Sequence, residues 1–168
     1  AHLHGVKANI SVRINPDIDA HTHKYVTTGL YENKFGISNH EFDKLIEFIQ
    51  KSEHINFFGL HFHIGSQITR VEEVFSLECK RVNEIVKYFE SKGLTVNNIN
   101  LGGGLGVDYD DPDGNPIADF ETWFNAISKN IVRRPNQNVH VEPGRSLVAQ
   151  CASLISRVLF VKSGETKN

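Results

Sequence analysis

Three groups of residues in this 168-residue chain have the types and spacing that chemistry needs. Gly102-Gly103-Gly104, followed by Leu105-Gly106, removes every Cβ from a short stretch. Consecutive backbone N–H groups can then approach an anion closely, phosphate above all, although the same composition also makes a merely tight turn. The spacing is not G-x-G-x-x-G and no Lys-Ser/Thr follows, so neither a dinucleotide fingerprint nor a P-loop is present. Glu142-Pro143-Gly144-Arg145 sets an acid, a turn and a guanidinium within four residues. The carboxylate can partner a protonated ring nitrogen, Gly144 offers a close N–H, and Arg145 offers a bidentate fork for phosphate or carboxylate. An exposed Glu-Arg pair around a turn is the plainer alternative. Nine histidines include the H-x-H pairs His2/His4, His21/His23 and His61/His63. His61 and His63 fall on one strand, two residues apart, and so point to the same face. Metal ligation, structural hydrogen bonding and use of one imidazole as a flat stacking surface all remain open for them.

The elements that position these residues alternate between short β-like runs and longer helical ones. That is the pattern of βαβ units with parallel strands, so the expected fold class is α/β. A first strand is expected over Asn9–Ile14, ended by Asn15-Pro16-Asp17. A long loop then leads to a helix with Asn39 as N-cap and an apolar stripe of Phe42, Ile46 and Ile49. A second strand covers Asn56–Ile64 and breaks at Gly65-Ser66. The next helix runs near Val71–Ser91, with Gly93 as its stop. A third strand, Val96–Leu101, enters the triglycine. A helix follows over about 117–131, with Phe120, Phe124 and Ile127 on one side, and then a fourth strand over Val139–Glu142. Ser153–Val161 reads as a fifth strand. Every strong break falls at the carboxyl end of an expected strand, the edge where α/β folds bind ligands. Four or five strands are too few for a closed eight-stranded barrel of about 250 residues, so the expectation is an open sheet or a partial chain. An absent initiator methionine agrees with a partial chain.

Composition narrows the classes further. Eighteen basic and twenty acidic residues leave a net charge of −2, which gives no basic face for nucleic acid. No run approaches a membrane span and the N-terminus lacks a signal-peptide core, so a cytoplasmic location without a membrane partner is expected. Two cysteines, Cys79 and Cys151, are expected to be buried thiols.

Read together, Asn15–Ile37 (NPDIDAHTHKYVTTGLYENKFGI), Gly59–Ile68 (GLHFHIGSQI), Leu101–Tyr109 (LGGGLGVDY) and Glu142–Ala149 (EPGRSLVA) resemble the diaminopimelate decarboxylase family. EPGR and GGG also resemble the ornithine and arginine decarboxylases and mark the cofactor class; TGLYENKFGI and HFHIGSQ are narrower. The resemblance implies a pyridoxal 5'-phosphate enzyme of the alanine-racemase-like fold type, in which a TIM-like (β/α)8 barrel joins a β-rich domain and a homodimer completes the sites. It implies that the full-length protein decarboxylates meso-diaminopimelate, a small amino-acid substrate, to lysine. By motif, His63 would stack on the pyridine ring and Ser66 would reach the phosphate. Gly102, Gly103 and Gly104 would bind that phosphate, Gly144 and Arg145 would close around it, and Glu142 would hold the pyridine nitrogen protonated. His63 and Glu142 are thus the expected catalytic residues, and Arg145 would also meet the distal carboxylate of the substrate.

The departures are equally specific. The family's Schiff-base lysine sits in a motif like A-V-K-A-N well upstream of N-P-D. Lys7, in Gly5-Val6-Lys7-Ala8-Asn9, imitates that wording but runs directly into SVRINPD, so it reads as a decoy. Residues 1–152 are then expected to be part of the cofactor-binding barrel and 153–168 a strand entering a C-terminal β domain, with this chain inactive alone. A related ornithine- or arginine-type decarboxylase is the first alternative and a non-catalytic cofactor-binding relative the second. A metal-dependent hydrolase using His61 and His63 comes third.

Overall fold

The computed structural model describes residues 1–18 and 35–162. Strand and helix alternate along it: β1 (Ala8–Arg13), α1 (Phe42–Lys51), β2 (Ile55–His61), α2 (Val71–Ser91), β3 (Asn98–Asn100), α3 (Phe120–Asn130), β4 (Asn138–His140) and the single turn α4 (Arg145–Val148). The four strands form one sheet in the order β1-β2-β3-β4, and each neighbouring pair is parallel. Parallel neighbours require a crossover, and the helices between strands supply it.

The sheet has one apolar and one polar face, because side chains alternate along each strand. Val12, Ile14, Leu60, Phe62, Ile99 and Leu101 are buried with the helices in the core. Their alternates Arg13, His61, His63, Asn98, Asn100, His140 and Glu142 belong to the other face. A bulge brings β2 into this phase: Ile10 pairs with Phe57 but Ser11 with Gly59, leaving Phe58 as the extra residue. The carbonyl of Phe58 accepts a hydrogen bond from Asn98 Nδ2 at 2.9 Å.

Helix α2 matches the expected limits and buries a continuous stripe from Val71 to Phe89, which includes Glu78 and Cys79. Helix α3 starts where Asp119 accepts a hydrogen bond from the Thr122 N–H at 3.0 Å. Its buried residues are Trp123, Ala126 and Ile127, whereas Phe124 is half exposed. The expected stripe of Phe120, Phe124 and Ile127 is therefore rotated, because the indole of Trp123 turns toward Phe75 of α2, with ring centroids 5.6 Å apart.

Other expectations need correction. Ser38, in extended conformation, rather than Asn39, precedes the helical turn; Asn39–Glu41 is 3₁₀, and α1 begins at Phe42. Ser153–Val161 is not a strand: it carries no ladder, and Leu154, Ile155 and Phe160 are more than nine-tenths exposed. A strand needs a neighbour for its N–H and C=O groups, and none lies beside this stretch among the described residues. Cys79 is buried as expected but Cys151 is exposed. The motif residues at positions 19–34, including His21, His23 and Lys34, lie outside the described residues.

Candidate functional site

The carboxyl ends of β2, β3 and β4 bring the sequence-selected residues to one edge. Glu142 lies two residues beyond β4, not at its last position, and its backbone N–H donates to Gly102 O at 2.7 Å. This bond continues the ladder past the strands and carries the carboxylate onto the polar face. There Asn100 Nδ2 donates to Glu142 Oε1 at 2.7 Å, and His61 Nε2 stands 3.6 Å from Glu142 Oε2. The Glu142 side chain remains 54% exposed, so the carboxylate is held from behind and open in front. Burial holds the His61 imidazole below its ordinary pKa, against the opposing pull of Glu142, and its Nε2 has no hydrogen-bond partner among the described residues. A neutral ring beside an open carboxylate leaves the negative charge uncancelled.

The triglycine is shaped by backbone contact. A Cβ at Gly102 would lie 2.4 Å from Phe62 O, at Gly103 2.0 Å from Glu142 O, and at Gly104 2.2 Å from Gly65 O. Gly102 and Gly104 also adopt φ of 71° and 102°, which glycine alone tolerates comfortably. Two of the three expected anion donors are engaged within the chain, since Gly102 N–H donates to Asn100 Oδ1 at 2.9 Å and Gly103 N–H to His63 Nδ1 at 3.3 Å. This bond places the proton of a neutral His63 ring on Nε2. The close turn and the ligand edge are thus both present, with Gly104 N–H the one member of the triad that has no acceptor among the described residues.

Arg145 does not pair with Glu142. Its Nη1 donates to Tyr109 Oη at 2.9 Å and its Nη2 to Ser66 Oγ at 3.3 Å, with the guanidinium carbon 5.7 Å from the Tyr109 ring centroid. Gly144 precedes the α4 turn, and a Cβ there would meet nothing within 4 Å beyond its own chain neighbours. Ser66, Arg145 and the triglycine loop accordingly form a cationic, donor-rich corner beside the acidic one at Glu142. Lys7 is exposed and precedes β1 at the opposite, amino end of the sheet. Among the described residues no group of three or more His, Cys, Asp or Glu side chains is placed to hold a metal ion.

Sequence reasoning missed Asn100, Tyr109 and the contact between His61 and Glu142. Asn100 carried a usable signal: Asn98 and Asn100 alternate with Ile99 and Leu101 at the end of the run, setting polar side chains on one face and apolar ones on the other.

Residues 1–149 match the family model described as pyridoxal-dependent decarboxylase, pyridoxal binding domain. The diaminopimelate decarboxylase of Bacteroides thetaiotaomicron is 48% identical over 160 residues, which covers 95% of this chain and 41% of that protein. A crystal structure of a point mutant of diaminopimelate decarboxylase from Helicobacter pylori, complexed with L-lysine, superposes with a TM-score of 0.74 at 35% identity, over 88% of this chain and 36% of that one. The Paramecium bursaria Chlorella virus arginine decarboxylase superposes with a TM-score of 0.62 at 25% identity, over 86% and 36%. This chain therefore spans about two fifths of the length of the curated relatives it matches. The parallel βα units are part of a TIM-like barrel, as the family resemblance implied. A polar sheet face ending in a donor-rich corner and a half-exposed glutamate, within a 149-residue match to the family model, shows that the chain belongs to the pyridoxal-dependent decarboxylases and lies in their pyridoxal-binding domain.

Proposed function

We propose that the full-length protein is a pyridoxal 5'-phosphate-dependent decarboxylase that converts meso-2,6-diaminopimelate to L-lysine and CO₂. The observation that carries this reading is the pairing of two unlike corners on one sheet edge: Ser66 with Arg145 on one side, and Glu142 held by Asn100 on the other. The residues fit the cofactor by the chemistry of their donor sets. Ser66 Oγ–H, the Arg145 guanidinium and Gly104 N–H suit a phosphate dianion. Glu142, an exposed carboxylate beside a neutral imidazole, suits a protonated pyridine nitrogen.

When bound, pyridoxal phosphate supplies an electron-withdrawing ring that stabilises the carbanion left by CO₂. The residues of this chain prepare the place for it. Asn100 fixes the Glu142 rotamer through Oε1 and leaves Oε2 to hold the proton of the ring nitrogen. Gly103 fixes the His63 ring by donating to Nδ1, which gives the flat surface expected to stack against the cofactor. Arg145, tethered by Tyr109, presents its guanidinium for phosphate or for the distal carboxylate of the substrate. Gly102 and Gly103 contribute by shaping the loop rather than by donating to the phosphate. The 48% identity to a diaminopimelate decarboxylase supports this substrate over the arginine-type alternative. A cytoplasmic homodimer with a β domain after about residue 152 belongs to the same proposal.

The test is turnover by the full-length protein with meso-diaminopimelate, ornithine and arginine offered separately. Lysine formation from diaminopimelate, with at most trace products from the others, is expected. Preferential release of putrescine or agmatine would overturn the substrate assignment, and no decarboxylation with any of them would favour a non-catalytic binder.

A further inference from the structure

Gln67 lies in the loop after β2, between Ser66 and Ile68, with φ of 59°, a left-handed conformation unusual for a residue other than glycine. Its side-chain amide makes two hydrogen bonds with the backbone of one distant residue. Nε2 donates to Val107 O at 2.6 Å, and Val107 N–H donates to Oε1 at 3.2 Å. A primary amide carries a donor and an acceptor side by side, so here it takes the place of a paired strand residue.

The two loops joined this way are those after β2 and β3. They already touch through the backbone: Ile68 N–H donates to Gly104 O at 2.9 Å and Gly106 N–H to Ile68 O at 3.0 Å. The amide of Gln67 extends that ladder by one more residue, to Val107. From Val107 the chain runs through Asp108 to Tyr109, whose hydroxyl accepts from Arg145, and Arg145 in turn donates to Ser66. Ser66 is the covalent neighbour of Gln67. The connections thus close a ring, Ser66–Gln67–Val107–Asp108–Tyr109–Arg145–Ser66, in which the Gln67 amide is one of three non-covalent links. Arg145 and Tyr109 are exposed, and the hydrogen bonds that place their side chains run to each other and to Ser66.

We propose that Gln67 is a positioning residue for the anion-binding corner: its amide fixes Ser66 and, through Val107 and Tyr109, the guanidinium of Arg145. The left-handed backbone fits this role. A glycine would adopt φ of 59° without strain, so a glutamine held there requires its side chain to give something back, and the double bond to Val107 is what the structure shows.

The proposal rests on the reading that Ser66 and Arg145 receive the cofactor phosphate, so the experiment separates the two. In the full-length protein, dissociation constants for pyridoxal phosphate and for pyridoxal, which lacks the phosphate, are measured for the parent, Gln67→Gly and Gln67→Glu. Gln67→Gly relieves the backbone and removes the clamp, while Gln67→Glu keeps the length and sets a carboxylate oxygen against Val107 O. Both variants should lose about tenfold in affinity for pyridoxal phosphate, the order of one charge-assisted hydrogen bond, with pyridoxal affinity close to the parent's. A merely structural glutamine would move both ligands together. A parent preference for pyridoxal phosphate that both variants retain, or equal losses for the two ligands, overturns the proposal alone. A parent that binds both ligands alike overturns the phosphate reading and this proposal with it.

Discussion

Gly103→Ala tests whether the triglycine is dictated by backbone contact or by anion donation. The φ of Gly103 is not in the left-handed region, so an alanine meets no dihedral penalty and its whole effect comes from the added methyl. That methyl would lie 2.0 Å from Glu142 O and 3.0 Å from the Glu142 carbonyl carbon. Carbon and oxygen in close contact stand about 3.3 Å apart, so the chain segments after β3 and β4 must separate by about 1 Å. The Glu142 N–H to Gly102 O bond, 2.7 Å in the native chain, is stretched or lost. That loss costs about 1 kcal/mol, and the forced opening of a packed contact adds about 1–3 kcal/mol. The carboxylate of Glu142 moves with its backbone, and a misplacement of about 1 Å costs on the order of a hundredfold in rate. In the full-length protein the variant should therefore melt at a lower temperature and show kcat reduced by about two orders of magnitude. Alanine keeps the N–H, so a residue that served only as an anion donor would tolerate the change. A variant that melts and turns over like the parent refutes the contact argument.

Other outcomes follow from the same structure. Glu142→Gln preserves shape and the Asn100 contact but removes the charge, so kcat should fall by at least about a hundredfold while cofactor affinity changes little, checked by stopped-flow turnover beside a cofactor titration. Glu78 is fully buried, with neither oxygen partnered among the described residues, and burial pushes its pKa well above 4.5. The fold therefore prefers the protonated acid: this group weighs least on stability below pH 4.5, and its cost grows by about 1.4 kcal/mol per pH unit above that until the folded pKa is passed. Glu78→Met should raise the melting temperature at pH 7, by about 1–3 kcal/mol of stability, and the gain should shrink toward pH 4.5; a gain independent of pH would refute the assignment. The Cys79 thiol is buried and pushed up to about 12, whereas Cys151 is exposed. Iodoacetamide at pH 8 should label Cys151 and spare Cys79 in the folded protein, read from peptide masses.

Much of this architecture is written locally. The 3.6-residue stripe of α2, from Val71 to Phe89, depends only on sequence spacing, and its limits emerge unchanged in the fold. The strands were legible as apolar runs, and the breaks after them marked the binding edge, because glycine and proline act on their own backbone. The one-letter wording of GGG, EPGR and HFHIGSQ was enough to indicate the family. What the chain could not disclose locally were contacts made across 36 to 79 residues. The bond from Asn100 to Glu142, the amide of Gln67 on Val107, and the separation of Arg145 from Glu142 in favour of Tyr109 and Ser66 all depend on the register of neighbouring strands. Phe124 misled for the same reason, since spacing shows which residues share a side of α3 but not which side α2 covers. Ser153–Val161 has the composition of a strand and no strand beside it, because β structure is completed by a partner rather than by the segment itself. Spacing and composition were enough for the helices, the four paired strands and the residues able to do chemistry; which of these residues touch is set by strand register and helix packing, quantities that no single segment contains.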